Sequence, residues 1–176
     1  MSEDATSKAE WLARIEQARV TWEALAALVG PDGWEQPGPT GDWSFKDIAA
    51  HLNDWRSLTV SRLEAAAGDK RTPRLPWPEA MSEATEEGVD EINGWFNRRN
   101  QGRSAAEILA ETRDQFRRIQ AAVEAIPEDE LGMRLPWLEG YPLSAVIAGM
   151  LEHLHEDHEL EMRARLAHRL ETPEDS

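Results

Sequence analysis

The sequence predicts an all-α protein: a four-helix bundle with an extra broken helix in the crossover between the second and third long helices. Three observations carry that reading. Ala, Glu, Leu, Arg and Lys supply nearly half of the 176 residues, which is the composition of long helices. Apolar residues recur at three- and four-residue spacings over four long segments. Three of these segments open with a capping box, Ser7-x-x-Glu10, Ser44-x-x-Asp47 and Ser104-x-x-Glu107, the signature of a helix start.

The first helix follows Ser7 with a seam of Trp11, Ile15, Ala18, Trp22, Leu25 and Val29, and Gly30-Pro31 stops it. A loop rich in proline and glycine separates it from the second helix. There the seam is Phe45, Ile48, Leu52, Trp55, Thr59 and Leu63, closed by Gly68. Residues 69–78 read as loop. Residues 79–101 read as a weak helix interrupted by Gly88 and Gly94, with Val89, Ile92, Trp95 and Phe96 as its apolar face. The third long helix carries Ala105, Ile108, Thr112, Phe116, Ile119, Val123 and Ile126, and Pro127 ends it. After a further loop, Pro142 suits a first helical position, and the last helix runs to about Leu170. Short connections are expected to join antiparallel neighbours. The whole reads as one domain over 1–176, with its core in about 7–170 and a disordered tail at 171–176.

Charge and composition narrow the function. The net charge is −15, which repels phosphate backbones and predicts no nucleic-acid partner. No run of 18 apolar residues occurs, so no membrane span is expected. The polar, acidic start MSEDATSKAE is unlike a signal peptide. Cysteine is absent, which removes disulfides, thiolate ligands and a protein thiol nucleophile. A cytoplasmic location is the expectation. Dimerisation through an outer bundle face is left open.

Histidine carries the chemistry. Three of the five crowd into EHLHEDHELE on the last helix. At 100° per residue, His155 and His158 lie about 60° apart on the core-facing stripe, while His153 points about 160° away from His155. His51 flanks the seam of the second helix. If those two helices are neighbours, His51, His155 and His158 meet inside the bundle, with Glu159 one turn beyond His155 as a further ligand. Such a set suits a divalent transition metal (zinc, nickel or iron) with positions left open for water or substrate. The same three histidines serve as catalytic candidates. The competing reading is structural: core imidazoles hydrogen-bonded to nearby carboxylates. Trp34, Trp43, Trp77 and Trp137 fall in loops or at helix starts, where they either plug the bundle ends or line the mouth of a pocket. No GxSxG, P-loop, GxGxxG or HExxH motif is present.

One segment carries a family resemblance. Trp43-Ser44-Phe45-Lys46-Asp47-Ile48-Ala49-Ala50-His51-Leu52-Asn53-Asp54-Trp55 resembles the second-helix signature of the DinB/YfiT-like superfamily, four-helix bundles that include many metalloenzymes. The histidine-rich last helix fits as well. The stretch DEINGWFNRRNQGRSAAEILAE, with Asp90, Asn93 and Trp95, and the later AIPEDEL and LPWLEGYPL resemble the ClbS/DfsB branch. The resemblance implies three histidine ligands, one from the second helix and two from the fourth at i and i+4. His51 matches the first. The pair departs from the pattern: His155 is followed at i+4 by Glu159, and His158 is preceded at i−4 by Leu154. The site is then His51/His155/Glu159, or His51/His155/His158 with altered geometry, or has lost its metal.

The function this implies is a small-molecule detoxification or stress-response enzyme. It would act on an electrophilic substrate by metal-assisted or thiol-dependent transfer or hydrolysis, the thiol being an external low-molecular-weight one. Asn53, Asp54 or Arg56 could orient a substrate carboxylate. The alternatives are a metal-free ClbS-like hydrolase and a non-enzymatic small-molecule-binding bundle.

Overall fold

All three capping boxes form. The Ser7 hydroxyl accepts the Glu10 N–H (3.3 Å) while the Glu10 carboxylate accepts the Ser7 N–H (2.7 Å). Ser44 with Asp47 and Ser104 with Glu107 repeat the exchange. Each box satisfies backbone donors that a helix start leaves orphaned, worth about 1 kcal/mol apiece. These caps fix where the helices begin. The computed structural model describes residues 6–40 and 43–171. Its helices are α1 (Lys8–Val29), α2 (Phe45–Ala67), α3 (Glu86–Asn100), α4 (Ala105–Ala125), α5 (Ser144–Glu152) and α6 (Glu159–Glu171). A π-helical segment, His153–His158, joins α5 to α6 without a break.

The bundle's corners are α1, α2, α4 and the C-terminal α5–π–α6 segment. Helix α1 packs on α4 and on the C-terminal segment, and so does α2. Consequently α1 and α2 occupy opposite corners, and the expectation that short connections join neighbours fails for this pair. The linking chain is not all loop. It contains a short antiparallel ribbon of β1 (Pro37–Thr40) and β2 (Trp43–Ser44). Gly30, at φ 69°, takes the left-handed conformation that turns the chain out of α1.

The seams read from the sequence build the core. Ile15, Trp22, Leu25, Phe45, Ile48, Leu63, Ile108, Phe116, Ile119 and Ile126 are all essentially inaccessible, each contributing roughly 1.5–3 kcal/mol of hydrophobic stabilisation. The crossover helix α3 starts later than its composition suggested, at Glu86, where the Thr85 hydroxyl accepts the Gly88 N–H (3.1 Å). It covers the outer face of α2 through a satellite core of Leu58, Trp77, Ile92 and Phe96. Helix α2 is therefore buried on nearly every side, polar residues included. Asp54, 1 % exposed, accepts from Asn100 (2.5 Å) and is ion-paired with Arg99, which ties the end of α3 to α2. Of the tail expected to be disordered, Glu171 ends α6 and residues 172–176 lie outside the described residues.

Candidate metal centre and its pocket

The last helix departs from the sequence expectation at its middle. An α-helix places residues five apart about 140° from one another. Over His153–His158 the helix instead winds with i→i+5 hydrogen bonds, and the Glu159 N–H reaches Leu154 O. In that winding, residues five apart stack on one face. His153 and His158 consequently share a face, and that face meets His51 on α2. The Nε2 of His153 lies 3.1 Å from that of His51 and 3.2 Å from that of His158. Among the described residues, these three form the one group placed to hold a metal ion, with their ligand atoms all within 4.8 Å of one another.

Of the residues expected from sequence, His51 and His158 are brought together and His155 and Glu159 are not. The extra residue in the π turn rotates His155 out of the bundle. Its Nδ1 pairs with the Glu159 carboxylate (2.5 Å), which also accepts from Arg163 (2.7 Å). His153, set aside on α-helical geometry, takes the inward place. A signal for it existed. Buried Leu143, Ile147, Leu151, Leu154, Met162 and Leu166, with His158 between, span six steps that run about 1.4 residues longer than six α turns. That surplus is one inserted residue.

The donor set fits a divalent transition metal. A neutral imidazole nitrogen offers one in-plane lobe, either a proton or a lone pair. Three such nitrogens converging on one point can make at most one good hydrogen bond among themselves, whereas one cation satisfies all three. A tetrahedral zinc with bonds of about 2.05 Å sets its ligand nitrogens about 3.3 Å apart, close to the 3.1 and 3.2 Å from His153 to its two partners. Burial, reinforced by repulsion from neighbouring imidazoles, pushes His51 down to about 3 and His153 to about 4, and burial alone lowers His158 against the pull of Asp157 and Glu161. All three are thus unprotonated at neutral pH, as ligands must be. The Nδ1 atoms of His51 and His158 are buried without a hydrogen-bond partner. Trp43 closes one side, its ring meeting His51 edge-on at 5.2 Å.

The cluster opens on a cleft of about 380 Å³. Its walls include Trp55, Arg56, Asn93, Val146, Met150 and the Arg62–Glu83 ion pair (2.7 Å). Beyond that pair lies an outer recess of about 660 Å³ that shares Arg62, Glu83, Ala145 and Val146 with it. Trp77 and Trp137 line the outer recess, so two of the loop tryptophans serve a pocket mouth, while Trp34 is buried as a plug. A separate recess of about 400 Å³ between α2 and α4 contains no histidine, and its Arg118 is neutralised by Glu64.

A histidine from the second long helix facing a histidine pair on the last is the arrangement expected of the family the sequence resembles, and the family profile matches residues 14–160. The chain belongs to the DinB superfamily. No curated protein matches it by sequence. Among solved structures, this DinB chain is similar to DfsB, described as a sibling lethal factor precursor, at 16 % identity and a TM-score of 0.73. That match covers 94 % of this chain and 98 % of the other. It is similar also to the colibactin self-resistance protein ClbS in complex with dsDNA, at 15 % identity and a TM-score of 0.69. There 96 % of this chain and 98 % of the other are covered. Both agree with the branch resemblance read from the sequence, and at these identities they speak for the fold.

The ClbS complex corrects one expectation. Net charge does not exclude nucleic acid from this DinB fold, since a bundle of the same architecture has been solved on duplex DNA. The physical reason is that −15 sums the whole surface, whereas a duplex meets one local patch. No helix among the described residues is long and apolar enough to cross a membrane.

Proposed function

We propose that this chain is a metal-dependent enzyme acting on a small electrophilic molecule in the cleft beside His51, His153 and His158. The reaction is hydrolysis, or transfer to an external low-molecular-weight thiol. The observation that carries the proposal is the convergence of three uncharged imidazole nitrogens, one buried and two half-buried, beside a cleft lined by His51 and His153. A cation held there supplies Lewis acidity, polarising the electrophile and easing deprotonation of water or thiol.

The remaining roles fall to the chain's own residues. A thiol nucleophile has to come from outside, because the chain has no cysteine. Among the described residues, the one carboxylate lining the cleft, Glu83, is paired with Arg62 and is not a free base. Trp55, Val146 and Met150 give an apolar wall that excludes bulk water and holds a substrate's apolar body. The Trp55 indole donates to Asn93 Oδ1 (2.9 Å), which fixes the amide and leaves its NH₂ group as a donor. Metal-free catalysis by a histidine base is a poorer fit, since imidazoles held near 3 and 4 are weak bases at neutral pH. A purely structural role is poorer too, since the three converging Nε2 atoms can make at most one good hydrogen bond among themselves.

The test is turnover of strained-ring and other electrophilic probes by zinc-loaded and chelator-stripped protein, with and without a low-molecular-weight thiol. Turnover by the zinc-loaded protein alone, lost in His153→Ala, is expected, and dependence on the thiol separates transfer from hydrolysis. Equal turnover by stripped and loaded protein contradicts the proposal. Because ClbS was solved on DNA, a labelled duplex is titrated alongside, at two salt concentrations.

A further inference from the structure

Arg56 lines the same cleft as His51 and His153, and it is an anomaly among the protein's charged groups. It is 3 % exposed, yet among the described residues no carboxylate pairs with it. Its Nη1 donates to the amide oxygens of Asn53 (2.8 Å) and Gln115 (3.4 Å). One face of the guanidinium lies over the Phe116 ring, 4.6 Å from its centroid. The Nε atom is buried with no hydrogen-bond partner at all. Glu111 is the carboxylate whose field reaches Arg56, but that carboxylate is paired with Arg103 (2.7 Å). Burial lowers Arg56 to about 10, which still leaves it cationic at neutral pH.

Buried arginines ordinarily come with an anion, because a desolvated cation is costly when left uncompensated. This one has neutral amides on its Nη1 side and no hydrogen-bond partner on its packed Nε. The positive charge is felt inside the site, where it helps to hold the His153 imidazole neutral. Asn93 adds a second donor to the wall of the cleft. We infer that Arg56 is the anion subsite of this cleft, and that the molecule bound beside the histidines carries a planar carboxylate, which pairs with the guanidinium once a small shift of the side chain opens Nε, closed to solvent in the unliganded protein, toward the cleft. An arginine edge matches a carboxylate in plane and in spacing, and the Phe116 ring beneath it holds that plane fixed. In a chain of net charge −15, a cation at the inner wall also gives an anionic ligand a reason to enter. The inference rests on the proposed function only in taking the cleft as the substrate site, and it does not require the metal.

The experiment uses metal-free full-length protein, with benzoate as the carboxylate probe and benzamide as its neutral isostere. The readout is the ¹H–¹⁵N resonance of the Arg56 Nε–H, assigned by its loss in Arg56→Lys. Benzoate is expected to shift that resonance, and benzamide to leave it in place. Arg56→Gln is expected to weaken benzoate binding roughly tenfold or more. Because Arg56 also holds Asn53 and Gln115, the wild-type resonance decides the matter even where the variant folds poorly. A resonance that benzoate does not move, or that benzamide moves equally, overturns the inference. Failure of the metal reading is a separate result: zinc is then not bound, while benzoate still shifts Arg56.

Discussion

His153 and His158 stand five residues apart in the sequence, and their Nε2 atoms lie 3.2 Å apart in the fold. That relationship depends on a single π turn. Without it the two side chains would point to different sides of the bundle, and His155 rather than His153 would stand beside His158.

Deleting one exposed residue from the turn therefore tests its origin. Removing Glu156 converts the i, i+5 pair to i, i+4 on an ordinary α-helix and leaves Met162 and Leu166 in register with the core. The expected result is a helix without the π segment, an unchanged or higher Tm, and retained zinc binding. A Tm lowered by ten degrees or more, about 2.5–5 kcal/mol for a chain of this size, would show that the π turn is not an inserted residue.

Acid should unfold the metal-free protein through these histidines. Their folded pKa values, about 3 for His51 and 4 for His153, lie below the unfolded value of about 6.5. The unfolded chain thus takes up protons first, and stability present above pH 6.5 is lost as the pH falls toward 4. The loss is roughly 3 kcal/mol per histidine by pH 4. Urea titrations of wild-type and His51→Gln protein at pH 7 and pH 4.5 measure it. The variant is expected to lose less stability than wild type over that interval, and an equal loss contradicts the assignment.

Asp54 runs the opposite way. Burial outweighs the attraction of Arg99 and the Asn100 hydrogen bond and raises its carboxyl to about 6, above the unfolded value of about 3.9. Its contribution is complete below pH 4 and is lost as the pH rises through 6. The stability of Asp54→Asn relative to wild type should therefore improve by roughly 2–3 kcal/mol between pH 4 and pH 7. A relative stability that stays flat or falls over that interval contradicts this account of the α2–α3 contact.

Asn53 organises the buried polar layer. Its side chain donates to Ile108 O (2.9 Å) and accepts from Arg56 and Thr112, both at 2.8 Å. Asn53→Ala removes all three bonds, leaving Thr112 and Ile108 O only each other and Arg56 Nη1 only the longer bond to Gln115, and should cost about 2–3 kcal/mol in chemical denaturation. A cost under 1 kcal/mol would mean that water replaces the amide.

The parts of this fold that local chemistry decides were legible in the sequence. Ser7, Ser44 and Ser104 announce three helix starts, and the seams from Trp11 to Val29 and from Ile108 to Val123 become core. His51 and His158 were legible as inward residues. His153 was not, because a fixed 100° per residue turns it away and only the stretched spacing from Leu143 to Leu166 records the inserted residue. Buried Asn53, Asp54 and Arg56 were not legible as core either. In a plain four-helix bundle much of α2 faces solvent, and only tertiary packing of α3 and α4 covers these positions. The opposite-corner placement of α1 and α2 likewise follows from how the connections route, which no periodicity encodes.

The central claim is that His51, His153 and His158, and not His155, form one metal site. Zinc titration with metal analysis of the purified, untagged protein tests it most directly, run on wild type and on His51→Ala, His153→Ala, His158→Ala and His155→Ala. The account predicts one zinc per chain in wild type and in His155→Ala, and an affinity weakened at least tenfold in each of the other three. A wild-type protein that takes up no zinc, or a His155→Ala variant that loses it while His153→Ala keeps it, would contradict the account.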